Sequence, residues 1–234
     1  MYHSAKTIIK PYMKMVDLIE SNPLLLLMMQ HFNIDFNVSD LTVSQLCEHY
    51  EISENLFINI ANLYNGFKIK ESPELSKNEV LNVIDFLKNS HNYYRSDKYP
   101  QLRSYINQLK ENHPEKEIAL LERFFDEYFQ EVMEHLDYED NIAFPYFIDL
   151  ITRNQYVISD AYSAKEYSKH HTDIELKLAD LKKLLLKHIK IEDDLNLKRK
   201  LLLSLFELEF DLYIHSLIED SILIPAGYVI EKDV

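Results

Sequence analysis

The chain has 234 residues, 47% of them apolar, with a formal net charge of -14, one cysteine and two glycines. That length holds one sizeable domain and a small appendage, while the scarcity of glycine excludes phosphate-cradling loops and most tight hairpins. The negative charge argues against nucleic acid and anionic membranes as partners, and Cys47 alone excludes an intrachain disulfide or a thiolate metal site.

Leu, Ile, Glu and Lys dominate the composition, which points to an all-α fold. The N-terminus is broken by charges and prolines before any run long enough for a signal peptide or membrane span, so the chain reads as cytoplasmic. Residues 1–70 read as a small helical module. Asn22-Pro23 opens a short helix through Gln30. Thr42 with Gln45 forms a capping box ahead of Tyr50, and Ser53 opens a helix that should stop at Asn65-Gly66. Residues 1–75 carry five Lys and no Arg against nine Asp plus Glu, a net of -4. Protein contact, including a homodimer through this module, is therefore the expected role rather than DNA reading.

Residues 71–80 read as a linker, and residues 76–225 as a four-helix bundle of up-down-up-down connectivity. Ser76 with Glu79 caps its first helix, which runs to about Ser96, and Pro100 starts a shorter one. Pro114 opens a long second helix, expected to break or bend at Pro145. Ser163 with Glu166 caps a third, running to about Ile189. Asp193 or Asp194 caps the last, expected to stop before Pro225.

One pattern in this region is repeated. HLDYEDNIAFP, from His135 to Pro145, returns 80 residues later as HSLIEDSILIP, from His215 to Pro225. On a helix the i, i+4 spacing puts His135 above Glu139 and His215 above Glu219, each pair on one face. Imidazole with carboxylate is a ligand set for a borderline or harder transition ion. Ile142 and Ile222 follow three residues after each Glu and place the pairs beside the core. A buried glutamate without a counter-charge costs several kcal/mol, so a fold that bears two of them points to a cation. Ferritin-like sites use Glu-x-x-His instead.

The two other long helices supply candidates for the rest of a two-metal site. His91 continues the apolar row of Leu87. His171 leads the stripe Ile174, Leu178, Leu181 and Leu185, whereas the adjacent His170 points about 100° away. Glu175, four residues after His171, reads as a solvated carboxylate rather than a ligand.

With one His on the first and third helices and H-x-x-x-E on the second and fourth, the chain resembles the hemerythrin-like di-iron proteins, and among them the repair-of-iron-centres family. HNYYRSDKYPQL supplies His91, Tyr94, Arg95, Pro100 and Leu102 of that family's first motif. His135, Glu139, Phe144 and Pro145 match its second, with one extra residue between Glu139 and the Phe-Pro pair. SNPLLLLMMQHFNID and LTVSQLCEHYEIS are similar to its N-terminal module, but Phe36, Asn37 and Val38 stand where that module carries a Cys pair. The resemblance implies two iron ions under an oxo or hydroxo bridge, with His91, His135, His171 and His215 as terminal ligands and Glu139 and Glu219 bridging. The donor set also suits manganese or zinc. It further implies repair of iron-sulfur clusters damaged by nitric oxide or oxidative stress, with damaged iron-sulfur proteins or a small diatomic ligand, NO or oxygen, as partners. The alternative is an oxygen or NO sensor or carrier without turnover.

Overall fold

The structure, a computed structural model, describes residues 7–69, 74–114, 116–152, 162–170, 174–191 and 193–232. The described residues form helices and no strand; Lys14 and Thr42 make an isolated bridge. The all-α expectation holds. The chain divides into two compact units, one of Met1–Ser90, Tyr146–Ser168 and Ile214–Val234, the other of His91–Pro145 and Lys169–Tyr213.

In the first unit the short helices α1 (Met15–Ser21), α2 (Leu25–His31), α3 (Val43–His49) and α4 (Glu54–Tyr64) precede α5 (Lys77–Tyr93). Their ends are set by local chemistry. Thr42 and Gln45 form the reciprocal capping box, Ser53 caps α4, and Ser76 exchanges bonds with Glu79 ahead of α5. Gly66, at φ 80°, takes the left-handed turn that ends α4. The helix expected from Asn22-Pro23 begins slightly later, because the Asn22 side chain accepts from the Leu24 N–H at 3.3 Å and forms a turn first.

The short helices are fastened to α5. Ser53 Oγ donates to Glu79 at 2.5 Å, Asn89 Nδ2 donates to the His31 carbonyl at 2.8 Å, and His31 and Phe32 both pack edge-on against Phe86. Later in this unit, α8 (Phe144–Thr152) meets α9 (Ala164–His170) through Phe147 and Tyr167. Gly227 of α12 (Ile224–Lys232) permits a close approach here, since a Cβ at that position would run into the Phe147 ring.

In the second unit α6 (Tyr99–Asn112), α7 (Lys116–Tyr138), α10 (Ile174–Lys187) and most of α11 (Leu195–Ile218) bury Leu102, Ile106, Leu121, Phe125, Leu178, Leu181, Leu201 and Leu205. Polar residues join the elements as well. Lys98, almost fully buried, is held by Glu207, Ser204 and Gln101.

Three prolines expected to stop helices do not. Pro100, Pro145 and Pro225 are each the second residue of a helix that continues directly from a π-helical turn: π1 (Tyr94–Lys98), π2 (Glu139–Ala143) and π3 (Glu219–Leu223). Each proline stands six residues after the first residue of its π turn. The N–H just before each proline bonds five residues back, to the carbonyls of Tyr94, Glu139 and Glu219. In a regular α-helix the proline ring would collide with the carbonyl four residues earlier; the wider π turn relieves this by taking in one residue. That residue is the extra one between Glu139 and Phe144-Pro145.

The insertion also shifts the helical phase. Ile142, expected beside the core, is 46% exposed, and Ala143 and Phe144 are buried in its stead. In the second copy Ile222 is buried as expected. The third long helix is described as α9 and α10, and residues 171–173, His171 among them, lie outside the described residues.

Candidate metal centre

Glu139 opens π2 and is 0% exposed, an expensive position for a carboxylate. Its two oxygens face two imidazoles. Oε1 lies 3.0 Å from His135 Nε2, one turn earlier on α7, and Oε2 lies 3.1 Å from His91 Nε2. The first contact follows from the i, i+4 spacing, whereas the second joins residues 48 apart and needs tertiary folding.

His91 is held from behind. Its Nδ1 donates to Asp140 Oδ1 at 2.9 Å, and Asp140 Oδ2 accepts from Arg95 Nη1 at 2.6 Å. Arg95 also donates to Asp137 at 2.8 Å, and the His91 ring stacks on Phe144 at 5.4 Å. Because the carboxylate takes the Nδ1 proton, Nε2 is the nitrogen that faces Glu139. A carboxylate behind the ring fixes the tautomer of a metal-binding histidine and raises its basicity.

Glu219, the counterpart in the second copy, opens π3 and is also 0% exposed. Its Oε1 lies 3.3 Å from His215 Nε2 and accepts from the hydroxyl of buried Tyr167. Here a serine stands behind the histidine. Ser90 Oγ donates to the Leu87 carbonyl at 2.7 Å, which uses its hydrogen, so at 2.8 Å it accepts from His215 Nδ1. His215 therefore also turns Nε2 toward its glutamate. The copies differ in this respect: Asp140 supports His91, whereas Asp220 is exposed.

These residues fit a cation. His91, Glu139 and His215, all buried, carry donor atoms suited to a metal ion. Donors bound side by side to one ion through bonds of about 2.1 Å stand about 3 Å apart, which is the separation of each His/Glu contact here. His170 is the last residue of α9.

Three supporting residues were not singled out from the sequence. Asp140 is the second residue of the repeated Glu-Asp, Ser90 adjoins His91, and Tyr167 lies one helical turn before His171, a spacing that would have marked it. Asp140 gives a direct test. Burial pushes its carboxyl up, but the hydrogen bond from His91 and the pairing with Arg95 outweigh that and hold it below the ordinary carboxylate range. Its contribution is then complete at neutral pH and is lost as pH falls through the depressed value. Asp140→Asn is expected to weaken metal binding by about 10- to 100-fold, read by competition with a chelator at pH 7; unchanged affinity would show that His91 needs no carboxylate behind it.

Fold and site together define a class, an all-α protein with buried imidazole and carboxylate donors for a metal. Residues 82–226 match the hemerythrin HHE cation binding domain, and the chain belongs to that family. No curated protein matches the chain significantly. Among the described residues no helix is long and apolar enough to cross a membrane.

Proposed function

We propose that this chain is a non-heme di-iron protein that repairs iron-sulfur clusters damaged by nitric oxide or oxidants. His91, His135, His171 and His215 would be the terminal ligands, and Glu139 and Glu219 would bridge. The observation that carries the di-metal reading is at Glu139, where one buried carboxylate offers a separate oxygen to each of two imidazoles. A terminal ligand would need one such contact; a bridge needs two.

Two bound iron ions supply redox change and open positions for a diatomic ligand. The chain's own residues set the conditions for this. Asp140 and Ser90 hold His91 and His215 in the tautomer that presents Nε2, and Tyr167 donates to Glu219 and restrains its rotation. Phe144, stacked on His91, and the buried Tyr167 keep water from the ligand side chains. Repair, as distinct from metal binding, is supported by the likeness of the first motif and the N-terminal segment to the repair-of-iron-centres proteins.

A sensor of oxygen or NO is favoured by a different observation. Helix α5 carries both His91 and the attachments of the N-terminal helices at Glu79, Phe86 and Asn89. A shift of α5 on ligand binding would reach those helices, whose partner would be a second copy of the chain.

Protein purified without oxygen is expected to hold two iron ions per chain and to restore a [4Fe-4S] hydro-lyase inactivated by NO, and Glu139→Gln should do neither. Two bound irons with NO binding and no restoration would replace repair with sensing. Zinc or manganese in place of iron, or no metal, would overturn both.

A further inference from the structure

We infer that Tyr94 is a redox-active tyrosine: it gives one electron to the oxidised metal centre while its phenolic proton passes to Asp211. This rests on the di-iron reading above. Tyr94 is fully buried and follows His91 by three residues along the continuous helical stretch of α5 and π1. Its hydroxyl donates to Asp211 Oδ2 at 2.9 Å, and Asp211 is 1% exposed.

A phenol that loses an electron becomes a strong acid, so its oxidation in a dry interior needs a base already in hydrogen-bond contact. A carboxylate is such a base, and the low dielectric around the pair strengthens the bond along which the proton moves. Other described buried tyrosines are placed differently. Tyr167 donates to Glu219, itself a proposed ligand, and Tyr93 donates to the half-exposed Glu207. Tyr94 combines a buried phenol, a buried carboxylate outside the proposed ligand set, and closeness in the chain to His91. Alternative one-electron donors are few. The chain has no tryptophan, and the thiol of Cys47, its one cysteine, is buried and its pKa pushed up to about 12 by that burial and by Glu54.

The step balances with hydrogen peroxide as the oxidant of the iron. Peroxide first oxidises the centre. One electron then leaves Tyr94 for the centre, which is reduced by one; the Tyr94 O–H bond breaks and an O–H bond forms on Asp211. The products are a neutral phenoxyl radical and a neutral carboxylic acid. Such a residue would draw one-electron oxidising power away from the bound irons.

The full chain, loaded with iron without oxygen and shown by metal analysis to hold it, is treated with peroxide, frozen and examined by electron paramagnetic resonance. A radical signal is expected whose hyperfine pattern changes when the protein is made with ring-deuterated tyrosine. Tyr94→Phe should lower it at least about tenfold with iron content and melting temperature retained, since the change removes one hydroxyl, and Asp211→Asn should lower it as well by removing the base. Fluorotyrosine placed at position 94 keeps the hydroxyl and should change the hyperfine pattern of the same signal, which keeps the assignment open to test if the Phe variant folds poorly. Iron-loaded protein without a tyrosyl signal, or an unchanged signal in Tyr94→Phe or with fluorotyrosine at 94, would overturn this inference and leave the di-iron reading standing. Absence of bound iron would overturn both.

Discussion

Glu139→Ala is expected to strip the protein of bound metal and to lower its melting temperature in the presence of metal by roughly 8–16 °C. Glu139 is the carboxylate that faces both His91 and His135, so its loss removes one donor from the reach of each imidazole. A metal present at a thousand times its dissociation constant stabilises the folded chain by about 4 kcal/mol. For a protein of this size each kcal/mol moves the midpoint by about 2–4 °C, which gives the range. A chelator separates this effect from lost packing. Without metal the wild type forfeits the same stabilisation, so the two midpoints should converge. The buried carboxylate then no longer has an ion to bind and brings only the cost of its own desolvation. A gap that persists undiminished in chelator would assign Glu139 to packing and remove the main support for a metal bridge. Glu139→Gln, which keeps the volume and loses the charge, should behave as the alanine variant does toward metal.

What could be read from the sequence follows the range of the forces involved. Capping at Thr42, Ser53, Ser76 and Ser163 is local, a hydroxyl bonded to an N–H three residues on, and each of these bonds is present. The i, i+4 contacts of His135 with Glu139 and of His215 with Glu219 are local in the same sense. The residues behind the histidines are not. Asp140 reaches His91 from 49 positions away, Ser90 reaches His215 across 125, and Tyr167 reaches Glu219 across 52. No periodicity in the sequence encodes such pairs.

The prolines were misread for another reason. Pro100, Pro145 and Pro225 carry the usual signal for a helix end, but a π turn placed six residues ahead lets the backbone pass without the clash that makes proline a breaker. The same turn exposes Ile142, because one added residue advances every later side chain by about 100°. Two of the three π turns begin at the repeated glutamates, which suits a site that needs a local change of helical phase; π turns are frequent at functional positions.

The second large effect is expected far from the metal. Phe86→Ala should destabilise the fold by about 3–5 kcal/mol, a fall in melting temperature of roughly 6–20 °C, while each folded chain keeps its metal. Phe86 is 2% exposed on α5 and receives both His31 and Phe32 edge-on, with ring centroids at 5.3 and 4.7 Å. Truncation leaves a cavity between α5 and the end of α2 that neither backbone can close, because Asn89 still ties α5 to the His31 carbonyl and Ser53 still ties it to α4 through Glu79. The proposed ligands all lie after residue 76, and the bond between Ser90 and His215 does not involve Phe86. The readout is therefore double: thermal unfolding with and without chelator, and metal per folded chain. A lower midpoint in both conditions with unchanged metal content would place Phe86 in the attachment of the N-terminal helices alone. Loss of metal at temperatures where the variant is still folded would show instead that those helices hold α5, and through it His91, in the binding position. The short helical segment before residue 70 would then be part of the metal centre's support, and the bundle of residues 76–225 would not hold metal without it.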